Sequence, residues 1–408
     1  MTLRKKPLIQ HWAVKSENLA FLREQGQSLL NRVDFIYLDP PNNEAAFRSG
    51  AGDFRLEEHA RWVDFMQLRI EAAHPLLKPT GVIAVSIRDA DMPRLRLLMD
   101  GVFGEANFIG MITIDTGNVT NNARLLSASH EYLLLYAKSM QSLLKSGVKW
   151  RTTREGLSSV RLQEKKLRAQ HGTDYETMTS ALKDWLKGQN LPPRLKKFNS
   201  VDARGLYAYS DLSAPKNGLH YAVINPHTGG EVAIPSRGWG VSEETFLELA
   251  ATDNIIWGAT DKHQPLKKLY LKDTPDQVVR TVMNLPSRSP QRLLKRILGE
   301  AVSFSEAKDL DFMKYLIDVF TPDDALVLDF FAGSGTTGHA ILELNYENPS
   351  VSKRQFILVN NDEGGVFSKV LLPRLQAVIS GKWAEKQKRP RKAELLRKIE
   401  SLPHGIEY

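Results

Sequence analysis

The sequence contains no cysteine, which excludes disulfides, thiolate zinc sites and cysteine nucleophiles. It also lacks a long hydrophobic run: no stretch of about 18 apolar residues occurs that could cross a membrane as a helix. The first residues, MTLRKKPLIQHW, are basic but are not followed by an apolar run, so we expect no secretory signal. These absences agree with a cytoplasmic protein that has no membrane partner.

Negative charge is the scarcer of the two signs. The 408 residues include 55 Lys and Arg against 47 Asp and Glu, which gives a net charge of +8. A basic surplus attracts polyanions, nucleic acid first, although a solvated basic surface without a partner gives the same total. The length suits about two or three domains.

Short apolar strands alternate with helical patterns in the first and last parts of the chain. Strands are predicted at 33–38, 81–87, 130–137, 326–330 and 355–359. Helices are predicted at 57–77, 95–103, 291–301, 311–320 and after Gly335. This alternation predicts an α/β fold with a doubly wound, mostly parallel, Rossmann-like sheet.

The alternation is interrupted near Ser139. Residues 143–197 are helical and carry 13 Lys and Arg against five Asp and Glu, and a turn-rich stretch with a hairpin turn at 225–230 follows. We therefore divide the chain into four parts. They are one half of the α/β domain at 1–139, an inserted α+β domain at 140–282, the second half at 283–380 and a basic tail at 381–408.

The most informative segment is VLDFFAGSGTT at 327–337, where a strand runs into a loop of small residues and a helix follows. Gly333 and Gly335 permit a tight turn and a close ligand, and the helix N-terminus offers free amides. The spacing is not that of a dinucleotide loop, and no lysine follows the glycines as in a phosphate loop. A carboxylate, Asp329, ends the strand, as expected for a ligand with a cationic amino group. This pattern favours S-adenosylmethionine (SAM).

The predicted cofactor residues extend to the tip of the next strand. There a polar side chain would hold a ribose by hydrogen bonds to its hydroxyls, and Asn360 or Asp362 is the candidate. A plain turn at the strand end is the alternative for either residue. The loop itself contributes Asp329, Phe330, Phe331, Ala332, Gly333, Ser334, Gly335 and Thr336.

A second polar segment, Asp39-Pro40-Pro41-Asn42, follows the first predicted strand of the sheet. A rigid carboxylate and a proline carbonyl can accept hydrogen bonds from an exocyclic amine and raise its electron density. The prolines fix this geometry. These four residues are the candidate catalytic residues for methyl transfer to a base, which must first be flipped out of its duplex.

Together these segments resemble the β-class amino-DNA methyltransferases, especially the Mod subunits of type III restriction-modification systems. The Asp-Pro-Pro segment precedes the SAM loop as in that class, and VFGEANFIG, RGWGVSEETF and LLKRIL are similar to its other segments. The resemblance implies a SAM-dependent DNA methyltransferase acting on adenine N6. It also implies that 1–139 is the catalytic half, 283–380 the SAM-binding half and 140–282 the target-recognition domain.

Several positions depart from the pattern of that family. Asn42 replaces the tyrosine of Asp-Pro-Pro-Tyr, whose ring would stack on the flipped adenine and contribute about 1–3 kcal/mol. Ser289 replaces the lysine of a Lys-Pro pair near the methionine group of SAM. The usual Gly-Asp-Asn-Leu is present as Ser16-Glu17-Asn18-Leu19.

These departures leave three interpretations open. The chain is a slow or divergent methyltransferase, or a non-catalytic DNA-binding subunit of a heteromeric enzyme, or it carries an engineered residue at position 42. Cytosine N4 and an RNA base remain alternative acceptors. The resemblance further implies double-stranded DNA, a homodimer or a heterodimer with a methyltransferase paralogue, and a restriction or defence subunit as partners.

Basic residues near the start of the insertion are the candidate contacts with DNA phosphates. They are Lys145, Lys149, Arg151, Arg154, Lys165, Lys166 and Arg168, with Trp150, Tyr175, Trp185 and Phe198 interleaved among them. His130 and Glu131 begin a predicted strand, but no further ligand has metal-site spacing. We therefore predict a structural role for this pair and no metal site.

Overall fold

A computed structural model describes most of the chain. It covers residues 11–41, 54–116, 125–126, 129–154, 156–274, 276–284, 289–302, 304, 306–383 and 406–407. The chain divides into two compact units, one of Met1–Trp150 with Arg280–Tyr408 and one of Arg151–Val279. Within the described residues, no helix has the length and hydropathy needed to span a membrane.

The secondary structure alternates most regularly in the first unit. The strands are β1 His11–Lys15, β2 Val33–Leu38, β3 Leu77–Ile87, β4 Phe108–Asp115, β5 His130–Ala137, β6 Arg151–Thr153, β7 Ser200–Asp202, β8 Gly205–Ser210, β9 Ile255–Ile256, β10 Leu266–Tyr270, β11 Asp276–Val278, β12 Val282–Asn284, β13 Leu326–Asp329, β14 Gln355–Asn360 and β15 Ile406–Glu407. The helices are α1 Asn18–Leu29, α2 Phe54–Ala73, α3 Met92–Phe103, α4 Met140–Lys145, α5 Leu157–His171, α6 Tyr175–Lys187, α7 Pro193–Lys196, α8 Glu243–Ala251, α9 Pro290–Leu298, α10 Leu310–Phe320, α11 Thr336–Glu347 and α12 Leu372–Ser380.

One large sheet organises the first unit. In the part of the chain that the structure describes, nine strands form it in the order β12-β4-β5-β3-β2-β13-β14-β1-β15. β5 is antiparallel to both of its neighbours, and the other pairs are parallel. The central strands β2, β13 and β14 are apolar runs because helices cover both faces of a parallel sheet. The predicted doubly wound, mostly parallel α/β fold is confirmed.

Alternate residues of the central strands face two different helical layers. Ile357 and Val359 of β14 pack into the core that contains residues of α1, α2 and α3. Their neighbours Phe356 and Leu358 lie on the other side, where they face Gly338 of α11. Both faces are buried because successive side chains of a strand point to opposite faces of the sheet. The same alternation determines which face the polar residue at the end of each strand points to.

Because α11 packs closely on the sheet, we expect a glycine-to-alanine substitution to lower the stability of the protein in α11, at Gly338, and to raise it in α3, at Gly101. A Cβ at Gly338 would lie 2.8 Å from Leu358 Cδ1 and 3.0 Å from Leu375 Cδ2, whereas a Cβ at Gly101 of α3 would meet nothing within 4 Å. We expect Gly338→Ala to lower the free energy of unfolding by about 1–3 kcal/mol through overpacking. Gly101→Ala should raise it by about 0.5–1 kcal/mol through helix propensity. Urea unfolding of both variants measures the difference, and equal effects would contradict this packing.

The second unit is built around two small cores of its own. Residues of α5 and α6 pack with β7 and β8 in one core, and Trp239 and Phe246 belong to the other. Phe198 is fully buried in the first of these cores, and Tyr175 and Trp185 pack against it. The sequence pattern places these aromatic residues among the lysines and arginines that are predicted to contact DNA, but Phe198 is buried in the core and Tyr175 and Trp185 are half-buried against that core.

Candidate functional site

The predicted cofactor loop begins where β13 ends. Gly333 and Gly335 both adopt left-handed backbone conformations, with φ of 48° and 76°. The amide of Gly335 donates to the carbonyl of Ala332 at 2.8 Å, and α11 starts at the next residue. The loop therefore turns tightly from strand to helix, because glycine adopts positive φ without the steric cost of a side chain.

The carboxylate of Asp329 is buried at the start of this loop. Its Oδ1 accepts from the amide of Phe331 at 3.0 Å, and its Oδ2 accepts from the Thr337 hydroxyl at 2.5 Å. Burial raises the pKa of Asp329 to about 7, against the lowering effect of these two hydrogen bonds and with a further increase from the charge of Asp39. A ligand ammonium at this carboxylate would favour its ionised form.

A buried arginine holds the cofactor loop and the start of α11 by hydrogen bonds. Arg374 donates to the hydroxyl oxygens of Ser334 and Thr336 at 2.9 and 2.8 Å, and its Nε donates to Nδ1 of His339 at 3.2 Å. Burial lowers the pKa of Arg374 to about 10, which still leaves it charged at neutral pH. Arg374 was not among the predicted residues, because an arginine on a distant helix carries no local sign of what it contacts.

The first turn of α1 also contacts this loop. Asn18 donates from Nδ2 to the carbonyl of Phe330 at 3.0 Å and accepts from Nε of Arg69 at 2.6 Å. Glu17 caps α1 by accepting from the amide of Ala20 at 2.8 Å and pairs with Arg69. The first turn of α1 thus positions a side-chain amide against the cofactor loop.

The two candidate ribose ligands differ in their surroundings. Oδ1 of Asn360 accepts from the amide of Gly333 at 3.1 Å, so this side chain supports the loop. Asp362 pairs with Lys15 at 2.8 Å and accepts from the amide and hydroxyl of Ser368 at 2.9 Å. The bond from Lys15, followed by those from Ser368, lowers the pKa of Asp362 to about 2. Asp362 is therefore an ionised acceptor at the tip of β14.

Ser289, which the resemblance to the family places near the methionine group of SAM as a further cofactor residue, caps a helix. Its hydroxyl accepts from the amide of Arg292 at 3.3 Å at the start of α9. A serine is favoured at this position because it satisfies an amide that has no partner within the helix.

The predicted catalytic segment lies at the same edge of the sheet as the cofactor loop. β2 and β13 are adjacent and parallel, with Leu328 opposite Ile36, so Asp39, just after β2, and Asp329, the last residue of β13, lie at the carboxyl ends of neighbouring strands. The carbonyl of Pro41 accepts from Nε1 of Trp62 at 2.9 Å, which holds the proline turn against α2. Asn42 lies outside the residues that the structure describes.

Asp39 forms an ion pair that was not predicted. Its Oδ1 lies 3.2 Å from Nζ of Lys308, which also donates to Oε2 of Glu131 at 2.7 Å. Burial raises the pKa of Asp39, and the charge of Lys308 opposes that rise. Burial alone would lower the pKa of Lys308, but Asp39, followed by the oxygens of Tyr37 and Glu131, raises it. Glu131 and the catalytic candidate Asp39 therefore share Lys308 as an ion-pair partner.

The candidate DNA contacts differ in exposure and in their partners within each unit. Arg168 pairs with Glu164 at 2.9 Å and donates to the carbonyl of Asp202, and Arg154 donates to the carbonyl of Thr274, so both arginines serve the fold of the second unit. Lys145 and Lys149 belong to the first unit. The exposed candidates are Lys145, Lys149, Arg151, Lys165 and Lys166.

Metal ligands are not grouped in the part of the chain that the structure describes, where no three His, Asp or Glu residues could share an ion. His130 instead shares a hydrogen bond of 2.9 Å with the hydroxyl of Tyr132 and lies 3.5 Å from Asp89. Aromatic and carboxylate neighbours of this kind orient the imidazole at the start of β5.

Comparison with known proteins identifies similar chains. A model of the DNA methylase family matches residues 33–364. The EcoP15I Mod subunit of a type III restriction-modification enzyme from Escherichia coli is 26% identical over 87% of this chain and 59% of its own length. The type II methyltransferase M.KpnI from Klebsiella pneumoniae is 28% identical over 81% of this chain and 76% of its own. The EcoPI Mod subunit from Escherichia phage P1 is 28% identical over 87% and 58%.

The chain spans less than two thirds of the length of these two Mod subunits. Solved structures with a lower likeness include the M1.HpyAVI–SAM complex, 14% identical over 90% of this chain and 99% of its own, with a TM-score of 0.40. The PvuII DNA methyltransferase, described as cytosine-N4-specific, is 10% identical over 97% and 95%, with a TM-score of 0.43.

Proposed function

Because the chain belongs to the DNA methylase family, we propose that it transfers a methyl group from SAM to the N6 amine of adenine in DNA. The observation that carries this proposal is the pair of polar segments at one edge of the sheet. The cofactor loop follows β13, and Asp39 follows the adjacent parallel strand β2. Open α/β sheets bind their ligands at this edge.

The residues around Asp329 fit a ligand with a cationic amino group. The carboxylate is buried, and its pKa of about 7 allows a nearby ammonium to hold it ionised at neutral pH. We expect backbone amides at the start of α11 to donate to the cofactor, and Asn360 or Asp362 would hold its ribose. When bound, SAM supplies an electrophilic methyl group, so direct displacement needs no covalent enzyme intermediate.

Asp39 and Pro40 would act on the acceptor. The carboxylate of Asp39 and the carbonyl of Pro40 accept hydrogen bonds from the two N–H groups of the adenine amine, which increases the electron density on nitrogen. The bond from Trp62 to the carbonyl of Pro41 limits the movement of this turn. Asn42 would line the base pocket without offering an aromatic face.

DNA recognition is assigned to the inserted part of the chain. We propose that 140–282 is the target-recognition domain, that double-stranded DNA is the substrate, and that the protein acts in the cytoplasm. The two Mod relatives are subunits of type III restriction-modification enzymes. On that basis a second methyltransferase chain, identical or paralogous, and a restriction or defence subunit are the proposed protein partners.

Neutralising two exposed lysines should weaken DNA binding without changing its sequence preference. Lys165 and Lys166 are exposed on α5. Each phosphate contact contributes a slope of about −0.9 to the dependence of log K on log salt concentration. We expect the Lys165→Ala, Lys166→Ala double variant to reduce the slope by up to about 2 in a fluorescence anisotropy titration. Lys187→Ala, which removes a lysine already paired with Asp184, is the matched control; an unchanged slope in the double variant would argue against phosphate contact.

A second candidate function, a catalytically impaired DNA-binding subunit, is favoured by Asn42. Restoring the aromatic ring by Asn42→Tyr should raise the rate of methyl transfer roughly 5- to 150-fold, because base stacking contributes about 1–3 kcal/mol. The measurement is incorporation of tritiated methyl groups into DNA by each purified chain. Activity of the unmodified chain excludes the impaired-subunit function. If both chains are inactive alone but a paralogous subunit restores transfer, the impaired-subunit function is correct.

The acceptor atom can be determined from the same reaction. We expect mass spectrometry of the digested DNA to show N6-methyladenine. N4-methylcytosine in its place would move the acceptor to the alternative amine while leaving the roles of Asp39 and Pro40 unchanged.

A further inference from the structure

Lys308 is a charged residue of the site that the sequence analysis did not single out. It lies in the segment between α9 and α10, and its ammonium bridges Asp39 at the end of β2 and Glu131 at the start of β5. The exposed side-chain fractions are 19% for Lys308, 28% for Asp39 and 14% for Glu131. The three charged side chains are therefore mostly buried, and Asp39, the most exposed of them, remains accessible to a substrate.

The surroundings of Asp39 oppose its ionisation. Burial disfavours its charged form, and the groups that face it are mostly acidic: Glu131 of β5, Glu306 from the same segment as Lys308, and, around it in the sheet, Tyr37 and Asp329. A protonated Asp39 would lose much of its strength as an acceptor, since charge-assisted hydrogen bonds are about twice as strong as neutral ones. Lys308 is the cation that faces this carboxylate.

We propose that Lys308 is a positioning residue that keeps Asp39 ionised and fixes its orientation, while Glu131 anchors the ammonium. The ion pair uses Oδ1 of Asp39, so Oδ2 is the oxygen that would accept from the target amine. This inference rests on the proposed methyltransferase function, and it assigns to the chain a charged triad of Asp39, Lys308 and Glu131.

The same arrangement protects the lysine from becoming an acceptor itself. An amine this close to Asp39 could compete for the methyl group if it carried a lone pair. The negative charges of Asp39 and Glu131 raise the pKa of Lys308, so its nitrogen stays protonated and has no lone pair to donate. Glu131 thus holds the cation in place and also keeps it unreactive.

The test is the pH profile of kcat/KM in variants that differ in charge. An opposite charge within a few ångströms lowers a carboxyl pKa by about 1–3, so Lys308→Met should move the acidic limb to higher pH by about that amount. For each pH unit that the limb moves, activity on the acidic side falls about tenfold, and it recovers at high pH. Lys308→Arg keeps the charge and should keep the profile of the unmodified chain. Glu131→Gln removes an anion and should move the limb to lower pH.

A measurement that needs no catalysis separates this inference from the proposed function. Titration of the carboxyl ¹³C signal of Asp39, identified with Asp39→Asn, should show a higher pKa in Lys308→Met than in the unmodified chain. An equal pKa, a loss of activity by the same factor at every pH, or a gain of activity at every pH in Lys308→Met would overturn the inference. If the unmodified chain binds SAM but methylates nothing, the proposed function fails while the titration still decides the role of Lys308.

Discussion

Asp39→Asn is expected to lower methyl transfer by roughly 10²–10³-fold, the effect of removing one preorganised electrostatic group from an active site. Asn presents one oxygen and no charge to the target amine, so the hydrogen bond that raises the electron density of the amine is weakened. Lys308 keeps its bond of 2.7 Å to Glu131 and would hold the remaining framework in place. The change removes no hydrogen bond of the cofactor loop, but it removes a charge that raises the pKa of Asp329, so SAM affinity is measured separately.

The measurement is a steady-state methylation assay at saturating SAM and DNA, with SAM affinity determined separately by calorimetry. Asp184→Asn serves as the matched control, because Asp184 is an exposed carboxylate on α6 that pairs with Lys187, one turn further along the same helix of the second unit. Activity of Asp39→Asn within about a factor of three of the unmodified chain would rule out Asp39 as the acceptor carboxylate.

Asp329→Asn is expected to lower the affinity for SAM by roughly 10- to 150-fold, because hydrogen bonds to charged groups contribute about 1.5–3 kcal/mol. The ionised form of Asp329 should bind the cationic amino group, and the pKa of this carboxyl in the free protein is about 7. SAM affinity of the unmodified chain should therefore fall by up to about tenfold per pH unit below that pKa. Asp329→Asn should remove this pH dependence.

The stability of the SAM-free protein should depend on pH in the opposite way to the SAM affinity: it should fall as the pH rises. Folding raises the pKa of Asp329 from 3.8 to about 7, so the stability that its protonated form provides is complete below pH 3.8 and is lost as the pH rises through 7. Asn mimics the protonated form, and the melting temperature of the free variant at a pH about one unit above that pKa should equal or exceed that of the unmodified chain. Asp324→Asn, an exposed change just before β13, is the control. A variant that is less stable but binds SAM normally would contradict this assignment.

The central strands and the cofactor loop could be predicted because their signals are local. β2, β13 and β14 are continuous apolar runs that end in polar or glycine-rich segments, and each signal lies within about ten residues. A parallel sheet then brings the ends of its strands to one edge. The fold class and the approximate position of the site follow from these patterns.

Among the strands of the large sheet that were not predicted, β1 and β4 have weak sequence patterns. β1 has five residues, and one of its buried side chains is His11, which stacks on Phe356 with ring centroids 4.4 Å apart. A histidine buried by ring stacking does not stand out as a core residue in the sequence. β4 is an antiparallel partner of β5 and lies next to the edge of the first unit's sheet, where its residues are mostly half-buried.

The charged residues around Asp39 could not be predicted from the sequence. Lys308 and Asp39 are far apart in the sequence, and no spacing rule connects them. Their contact depends on how the segment before α10 passes the end of β2, which is a tertiary property. Phe198 illustrates the converse: it follows two lysines in a basic segment, as an aromatic DNA contact would, but it is buried in the core of the second unit.

The most direct test of a shared methyl-transfer site is a reaction of the purified chain with SAM and DNA, followed by mass spectrometry of the nucleosides. We predict N6-methyladenine in the product of the unmodified chain and its loss in the product of Asp39→Asn. DNA that contains no methylated base after incubation with the chain saturated with SAM would contradict the claim that Asp329 and Asp39 form the two halves of one site.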